Sequence, residues 1–193
     1  MSIQTAVVIL AGGCSSRMGR DKGALPLGGR TLAETLAERY RPLGEAVYLS
    51  VGTPGEPVPP GVFPLPDLRP GQGPLAGLEA ALASTGAERV FLTAVDLPFG
   101  EPALARLLLE GLEGHDACLL RRREPLFAAY HRACLPHVRA CLDGGRRAMG
   151  ALLDLLDCRL LEAEDFDLER VLFNVNTPED WKRAEELGVR GRM

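Results

Sequence analysis

Two residue types are nearly missing from this chain of 193 residues. Lysine occurs only at Lys22 and Lys182, against twenty arginines, and asparagine only at Asn174 and Asn176. Scarce asparagine accompanies some thermophilic proteins, whereas scarce lysine does not, so the bias is one of composition rather than a stability signature. Its use is local: a rare residue placed inside a motif is less readily accidental. Cysteine is sparse too. Cys14, Cys118, Cys134, Cys141 and Cys158 are odd in number, widely spread and form no C-x-x-C, which excludes a disulfide framework and a zinc site and leaves reduced, mostly buried thiols. His115, His131 and His137 also lack metal-ligand spacing. No apolar run approaches the length of a membrane span, and the polar start Met1-Ser2-Ile3-Gln4-Thr5 is unlike a signal peptide, so a cytoplasmic protein without membrane association is expected. The formal net charge of −4 is not the basic footprint of a general nucleic-acid binder, although it permits a local basic pocket. Internal repeats and low-complexity segments are absent.

What is present reads as one globular domain, with 46% hydrophobic and 25% charged residues. The chain is organised around Ala6 to Lys22, A-V-V-I-L-A-G-G-C-S-S-R-M-G-R-D-K. Its apolar opening has the length and β-branched content of a buried parallel strand. The run stops at Ala11-Gly12-Gly13, which lack side chains that would keep a ligand from the backbone, and Ser15, Ser16, Arg17 and Lys22 follow with hydroxyls and cations. Free backbone N–H groups beside positive charge make a place for phosphates. Neither the Gly-Lys-Ser/Thr of a P-loop nor the G-x-G-x-x-G dinucleotide fingerprint occurs here.

Thr31-Leu32-Ala33-Glu34 is a capping box, and Leu32, Leu36 and Tyr40 share the apolar face of a helix to about Arg41. Ala46–Val51 reads as a strand, 52–66 as a Pro/Gly-rich surface connection whose end, Val62-Phe63-Pro64-Leu65, delivers Asp67 in extended form. Pro74 suits the first turn of a helix carrying Leu75, Leu78, Ala81 and Leu82. Arg89–Val95 is a further buried strand ending at Asp96-Leu97-Pro98, and Glu101-Pro102 opens a helix through about Leu112. This alternation indicates an α/β fold, a doubly wound and mostly parallel sheet. Beyond it, 116–120 and 126–130 read as short strands around the Arg121–Pro125 turn. Helices are expected over about 132–142 and 147–156, and returning strands at 159–161 and 171–175. A terminal helix at 178–187 has Thr177 as N-cap and Gly188 as its stop. The domain thus divides into a nucleotide-binding half, about 1–112, and an acceptor-binding half, about 113–193.

Asp96 is the foremost catalytic candidate, because a carboxylate ending a buried strand stands where open α/β sheets bind ligands and can hold Mg²⁺ beside phosphate oxygens. The bland alternative is a helix-capping or turn aspartate. Arg17 and Lys22 would neutralise phosphates and the charge of a leaving pyrophosphate. Gly73 and Pro74 bring backbone within reach of a base. Arg146 and Arg147, in G-G-R-R-A-M, suit phosphate recognition on the acceptor side, and Asn174 and Asn176 offer carboxamides to a second substrate, although Asn and Thr also make ordinary turns and caps.

The string L-A-G-G-x-S-x-R-M-G-x-D-K, then G-P-L-A-G, V-D-L-P, G-R-R-A-M and N-V-N-T-P, in this order across nearly the whole chain, resembles the molybdenum cofactor guanylyltransferase family. The resemblance implies a Rossmann-like nucleotidyltransferase fold with helices on both faces, and transfer of GMP from GTP to molybdenum-molybdopterin with release of pyrophosphate. It implies that Leu10, Ala11, Gly12, Gly13 and Lys22 bind GTP, that Asp67 contacts the nucleotide and that Asp96 binds Mg²⁺. The spacer from Asp67 to Gly73 is shorter than in some relatives, which aligns Asp67 less securely than Asp96. A monomer is expected rather than an obligate oligomer, with transient contacts to cofactor-biosynthesis proteins or receiving molybdoenzymes. Related cytidylyltransferases carry L-A-A-G and P-L-A-S, so the absent bulk at Gly12 and Gly77 favours a purine. A sugar-1-phosphate nucleotidyltransferase and a non-catalytic nucleotide-binding adaptor are the remaining alternatives.

Overall fold

The computed structural model describes residues 4–11, 26–27, 29–52, 54–122 and 124–190. Gly12, Gly13, Cys14, Arg17 and Lys22 therefore lie outside the described residues. The elements, in chain order, are β1 (Thr5–Leu10), the short antiparallel pair β2 (Pro26–Leu27) and β3 (Arg30–Thr31), α1 (Leu32–Tyr40), β4 (Ala46–Val51), β5 (Phe63–Pro66), α2 (Pro74–Ser84), β6 (Arg89–Ala94) and α3 (Pro102–Glu110). There follow β7 (Ala117–Leu120), β8 (Phe127–His131), α4 (Leu135–Asp143), α5 (Met149–Leu153), β9 (Cys158–Leu161), α6 (Leu168–Val171) and α7 (Pro178–Arg190).

Seven strands form one sheet in the order β5-β4-β1-β6-β8-β7-β9. Pairing is parallel except along both sides of β8, which runs against β6 and β7. The central strand explains why a sheet with helices on both faces forms. All six residues of β1 are buried, and its side chains alternate between two cores. Val7 and Ile9 face the core made with α1 and α3, whereas Ala6, Val8 and Leu10 face the core made with α2, α4 and α5. In α1, Leu32, Leu36 and Tyr40 are each fully buried, and each such leucine contributes about 1.5–3 kcal/mol. The N-terminus of α1 is fixed by a capping box in which Thr31 Oγ1 accepts from Glu34 N at 3.2 Å and the Glu34 carboxylate accepts from Thr31 N at 2.7 Å. At the sheet edge, Pro64 and Pro66 remove N–H donors from β5, which discourages pairing with another chain.

Four expectations need correction. Residues 171–175 form no strand: α6 ends at Val171, and the following segment is irregular. Leu172 packs on the α1/α3 core, whereas Val175 enters a separate small core with Phe99 and Ala184, flanked by Phe173, Trp181 and Leu187. Gly188 does not stop α7, which continues to Arg190. Finally, the helix expected over 147–156 is only Met149–Leu153, and the one over 132–142 begins as a 3-10 turn at Arg132–Cys134 before α4. The capping role of Thr177 does hold: its Oγ1 accepts from Asp180 N at 3.1 Å, and Asp180 returns a bond from Thr177 N at 2.9 Å. Among the described residues, Cys118, Cys134, Cys141 and Cys158 are free thiols. Burial pushes the Cys118 thiol up to about 11 and that of Cys134 to about 12, so neither is a nucleophile at neutral pH.

Candidate active site

Strand order decides where a ligand can bind. From β1 the chain adds β4 and then β5 on one side, then crosses to add β6 on the other. The reversal opens a crevice at the C-terminal ends of β1 and β6, the usual ligand position in open α/β sheets. Val95 N donates to Leu10 O at 2.9 Å, so the two strand ends are stitched together where they open. Leu10 and Ala11 stand at one lip and Asp96 at the other.

Asp96 is partly buried, with Oδ1 shut off from solvent. Its backbone carbonyl accepts from Val175 N at 2.8 Å, which brings the N-V-N-T-P segment directly onto the aspartate. Val175 is fully buried while Asn174 and Asn176 on either side of it are exposed. The valine is thus the anchor and the two asparagines the presented groups. The clamp is reinforced behind the aspartate. Phe99 and Phe173 pack at 6.1 Å between ring centroids, Arg170 lies over Phe99 at 5.5 Å, and Arg183 lies over Phe173 at 5.3 Å. Arg39, from the last turn of α1, donates to Pro98 O and, at 3.3 Å, to Gly100 O. The turn after Asp96 is therefore held by α1 on one side and by the C-terminal segment on the other.

Asp67 ends β5, three strand positions from β6, or about 14 Å at ordinary strand spacing. Ser50 Oγ donates to Asp67 Oδ1 at 3.1 Å, and Asp67 N donates to Val51 O at 3.2 Å. Burial, first, and nearby Glu56 hold this carboxyl above its ordinary value, opposed by the Ser50 hydrogen bond. Gly73 caps α2 with φ 75°, a conformation that favours glycine, and Pro74 occupies the first turn. Gly77 is accounted for by packing: a Cβ there would come 2.5 Å from Leu10 Cδ2. Its missing side chain lets α2 lie against β1, so it leaves no open space for a purine. Any effect on base choice at this position runs through Leu10.

Arg146 and Arg147 are exposed in the turn between α4 and α5. Since His131 of β8 pairs with Arg89 at the start of β6, α4 begins near the opposite edge of the sheet and runs back towards the strand ends that carry Asp67. Its last residue, Asp143, is bonded to Arg69 of the loop after β5. The arginine turn is thereby brought to the site's edge. A large cleft lies at the other end of the sheet, lined by Glu88, Glu110, Glu113, Asp116 and Asp157 among others. Its acidity makes it a poor host for a polyphosphate.

Among the described residues no three His, Cys, Asp or Glu side chains converge into a metal cage. A single hard carboxylate at a strand end fits Mg²⁺, which takes one or two carboxylates and completes its shell with water and substrate phosphates.

Sequence reading alone passed over Ser50, Arg39, Arg69, Phe99 and Phe173. Two of them left a signal: Ser50 is the one polar residue in A-V-Y-L-S-V, and Arg69 answers Glu79, the one charge in the apolar helix P-L-A-G-L-E-A-A-L-A-S.

Known proteins resemble this chain over nearly its whole length. A protein of Carboxydothermus hydrogenoformans described as "Probable molybdenum cofactor guanylyltransferase" is 35% identical over 94% of this chain and 95% of its own. The molybdenum cofactor guanylyltransferase of Rhizobium meliloti is 36% identical over 92% and 89%. The crystal structure of molybdopterin-guanine dinucleotide biosynthesis protein A from Archaeoglobus fulgidus superposes with a TM-score of 0.83 at 28% identity, covering 97% of this chain and all of that one. The model of the MobA-like NTP transferase domain matches residues 7–157, which take in the β1/β6 switch point, Asp67, Asp96 and the arginine turn, and the chain belongs to that family.

Proposed function

We propose that this nucleotidyltransferase transfers GMP from GTP to the terminal phosphate of molybdenum-molybdopterin, giving the guanine dinucleotide form of the cofactor and pyrophosphate. The observation that carries this reading is the main-chain bond from Val175 to Asp96, which seats the N-V-N-T-P segment against the catalytic strand end at the sheet's switch point. A nucleotide site and an acceptor site thereby share one edge. The guanylyltransferase relatives, alike over nearly their full length, support GTP as donor and the pterin as acceptor.

In this reading the base lies over Gly73 and Pro74, within reach of Asp67, and the triphosphate runs across the end of β1, where Leu10, Ala11, Gly12 and Gly13 offer backbone. Lys22 and Arg17 stabilise charge that develops as pyrophosphate leaves. Asp96 would hold Mg²⁺, whose contribution is to screen phosphate charge for the attacking oxygen. Asn174 and Asn176, with Arg146 and Arg147, orient the acceptor phosphate for in-line attack on the α-phosphorus. That phosphate is ionised at neutral pH and needs no strong general base, so positioning is the greater part of catalysis. The setting is a cytoplasmic one, and among the described residues no helix is long and apolar enough to cross a membrane.

The test is pyrophosphate release in the presence of Mg²⁺ and molybdenum-loaded molybdopterin, with GTP compared with CTP. Release with GTP and little with CTP is the expected result. Release with CTP alone would overturn the base assignment, and nucleotide binding without release would favour a non-catalytic adaptor.

The Asp67 environment supplies a separate check. Ser50→Ala removes the hydrogen bond that favours the charged carboxylate, so the Asp67 pKa should rise. The ionised form is the acceptor of nucleotide hydrogen bonds, and the acid limb of kcat/KM for GTP should therefore move to higher pH. An unmoved limb would remove Asp67 from nucleotide recognition.

A further inference from the structure

The loop between Asp67 and α2 carries an arginine whose partners have nothing to do with nucleotide chemistry. Arg69 Nε stands 3.1 Å from Glu79 Oε2, an ion-pair distance without hydrogen-bond alignment, while its Nη1 bonds Asp143 at the end of α4. Glu79 lies inside α2 and is 2% exposed. A carboxylate that deeply placed needs a cationic partner. Arg139 of α4 already supplies one, with Nε 3.3 Å from Glu79 Oε1. The charge of Glu79 therefore does not by itself call for Arg69.

What Arg69 does beyond neutralising Glu79 is hold the loop. Residues 67–73 are anchored at the start by Ser50 and Val51, which bond Asp67, and at the end by Ala76 N donating to Gly73 O at 3.0 Å. Between these anchors Leu68, Pro70 and Gly71 are exposed, and Gly71 and Gly73 adopt φ of 77° and 75°. Such a glycine-flanked segment has many conformations to lose on binding a ligand. The Arg69 fork, spanning Glu79 of α2 and Asp143 of α4, fixes its middle before any ligand arrives.

We infer that Arg69 is a positioning residue for nucleotide recognition: it pre-orders the 67–73 loop against α2 and α4, so that Asp67 and the Gly73 backbone are presented to the base together. The inference rests on the guanylyltransferase reading above. It also ties the nucleotide loop to the arginine turn, which begins directly after Asp143.

The experiment is steady-state kinetics with GTP varied at fixed molybdenum-molybdopterin, together with thermal melts. Arg69→Gln should raise KM for GTP about tenfold with kcat within about twofold, the pattern of lost ground-state and transition-state binding in equal measure. Arg139→Gln removes the other cation from Glu79 without touching the loop, and its KM should stay within about twofold even if its melting temperature falls as far. Asp143→Asn, at an exposed carboxylate, covers the case in which Arg69→Gln fails to fold and should raise KM about threefold. Equal KM changes in Arg69→Gln and Arg139→Gln, or melting shifts with KM unmoved, would reduce Arg69 to a structural ion pair and overturn the inference. Wild-type protein that released pyrophosphate with CTP but not GTP would instead strike the base assignment, and KM for CTP in the same variants would then decide the role of Arg69.

Discussion

Asp96→Ala should lower kcat/KM for GTP by about a thousandfold or more, on the scale of losing a charged group that organises a phosphoryl site. The fold should survive the change. The backbone carbonyl of Asp96 accepts from Val175 N, a bond that alanine retains, and the β1–β6 stitch runs through Val95 and Leu10. A melting temperature close to that of the parent, with turnover lost, is therefore the expected pair of results. Asp96→Asn sharpens the test. It keeps the size of the side chain and most of its hydrogen-bonding capacity but removes the negative charge, so a Mg²⁺ ligand predicts nearly the same loss as alanine. If the asparagine variant instead kept most of its Mg²⁺-dependent rate, Asp96 would be a turn-forming residue and the metal assignment would fall.

The legible parts of the sequence were those whose signals are local. The Thr31-x-x-Glu34 capping box, Pro74 at a helix start and the apolar runs of β1 and β6 each fold as their residues prescribe, because a cap or a fully buried strand depends little on distant partners. Residues 171–175 failed for the opposite reason. A short apolar run does not say which core receives it, and V-L-F-N-V is split: Val171 and Leu172 pack on the α1/α3 core, while Phe173 and Val175 join Phe99 in the small cluster behind Asp96. Gly188 was misread as a stop because α7 is held along its length by Trp181, Ala184 and Leu187, and tertiary packing carries a helix past a glycine. At the site, the motif order showed which residues belong together, whereas the way they are held was hidden. Nothing in V-D-L-P foretells that Arg39, nearly sixty residues earlier, bonds the carbonyls of Pro98 and Gly100. Gly77 taught the reverse lesson, since its small size serves helix-to-strand packing rather than a wider base pocket.

Gly100→Ala is expected to have the largest effect on stability, and through it on the site. A Cβ at this position would lie 2.0 Å from the Tyr40 hydroxyl and 2.6 Å from Phe127 Cε2, and both rings are fully buried. Tyr40 packs on Phe91 at 5.3 Å and Phe91 on Phe127 at 5.1 Å, so neither neighbour can move without disturbing the centre of the α1/α3 core. Overpacking of this kind costs about 3 kcal/mol, which for a chain of this size is a fall of roughly 6–12 °C in melting temperature. The damage would not stay in the core. Gly100 O and Pro98 O are the acceptors that fix the turn after Asp96 to Arg39, and displacing Gly100 to relieve the overlap would carry that turn with it. The variant should therefore lose turnover at temperatures well below its own unfolding transition. Tyr40→Phe tests the cause, because it deletes the oxygen nearest the new methyl group while leaving the Phe127 overlap in place. The double variant should recover part of the lost stability, with a coupling of about 1 kcal/mol or more between the two positions. Additive effects would mean that Gly100 is required for backbone conformation and not for the space it leaves to Tyr40.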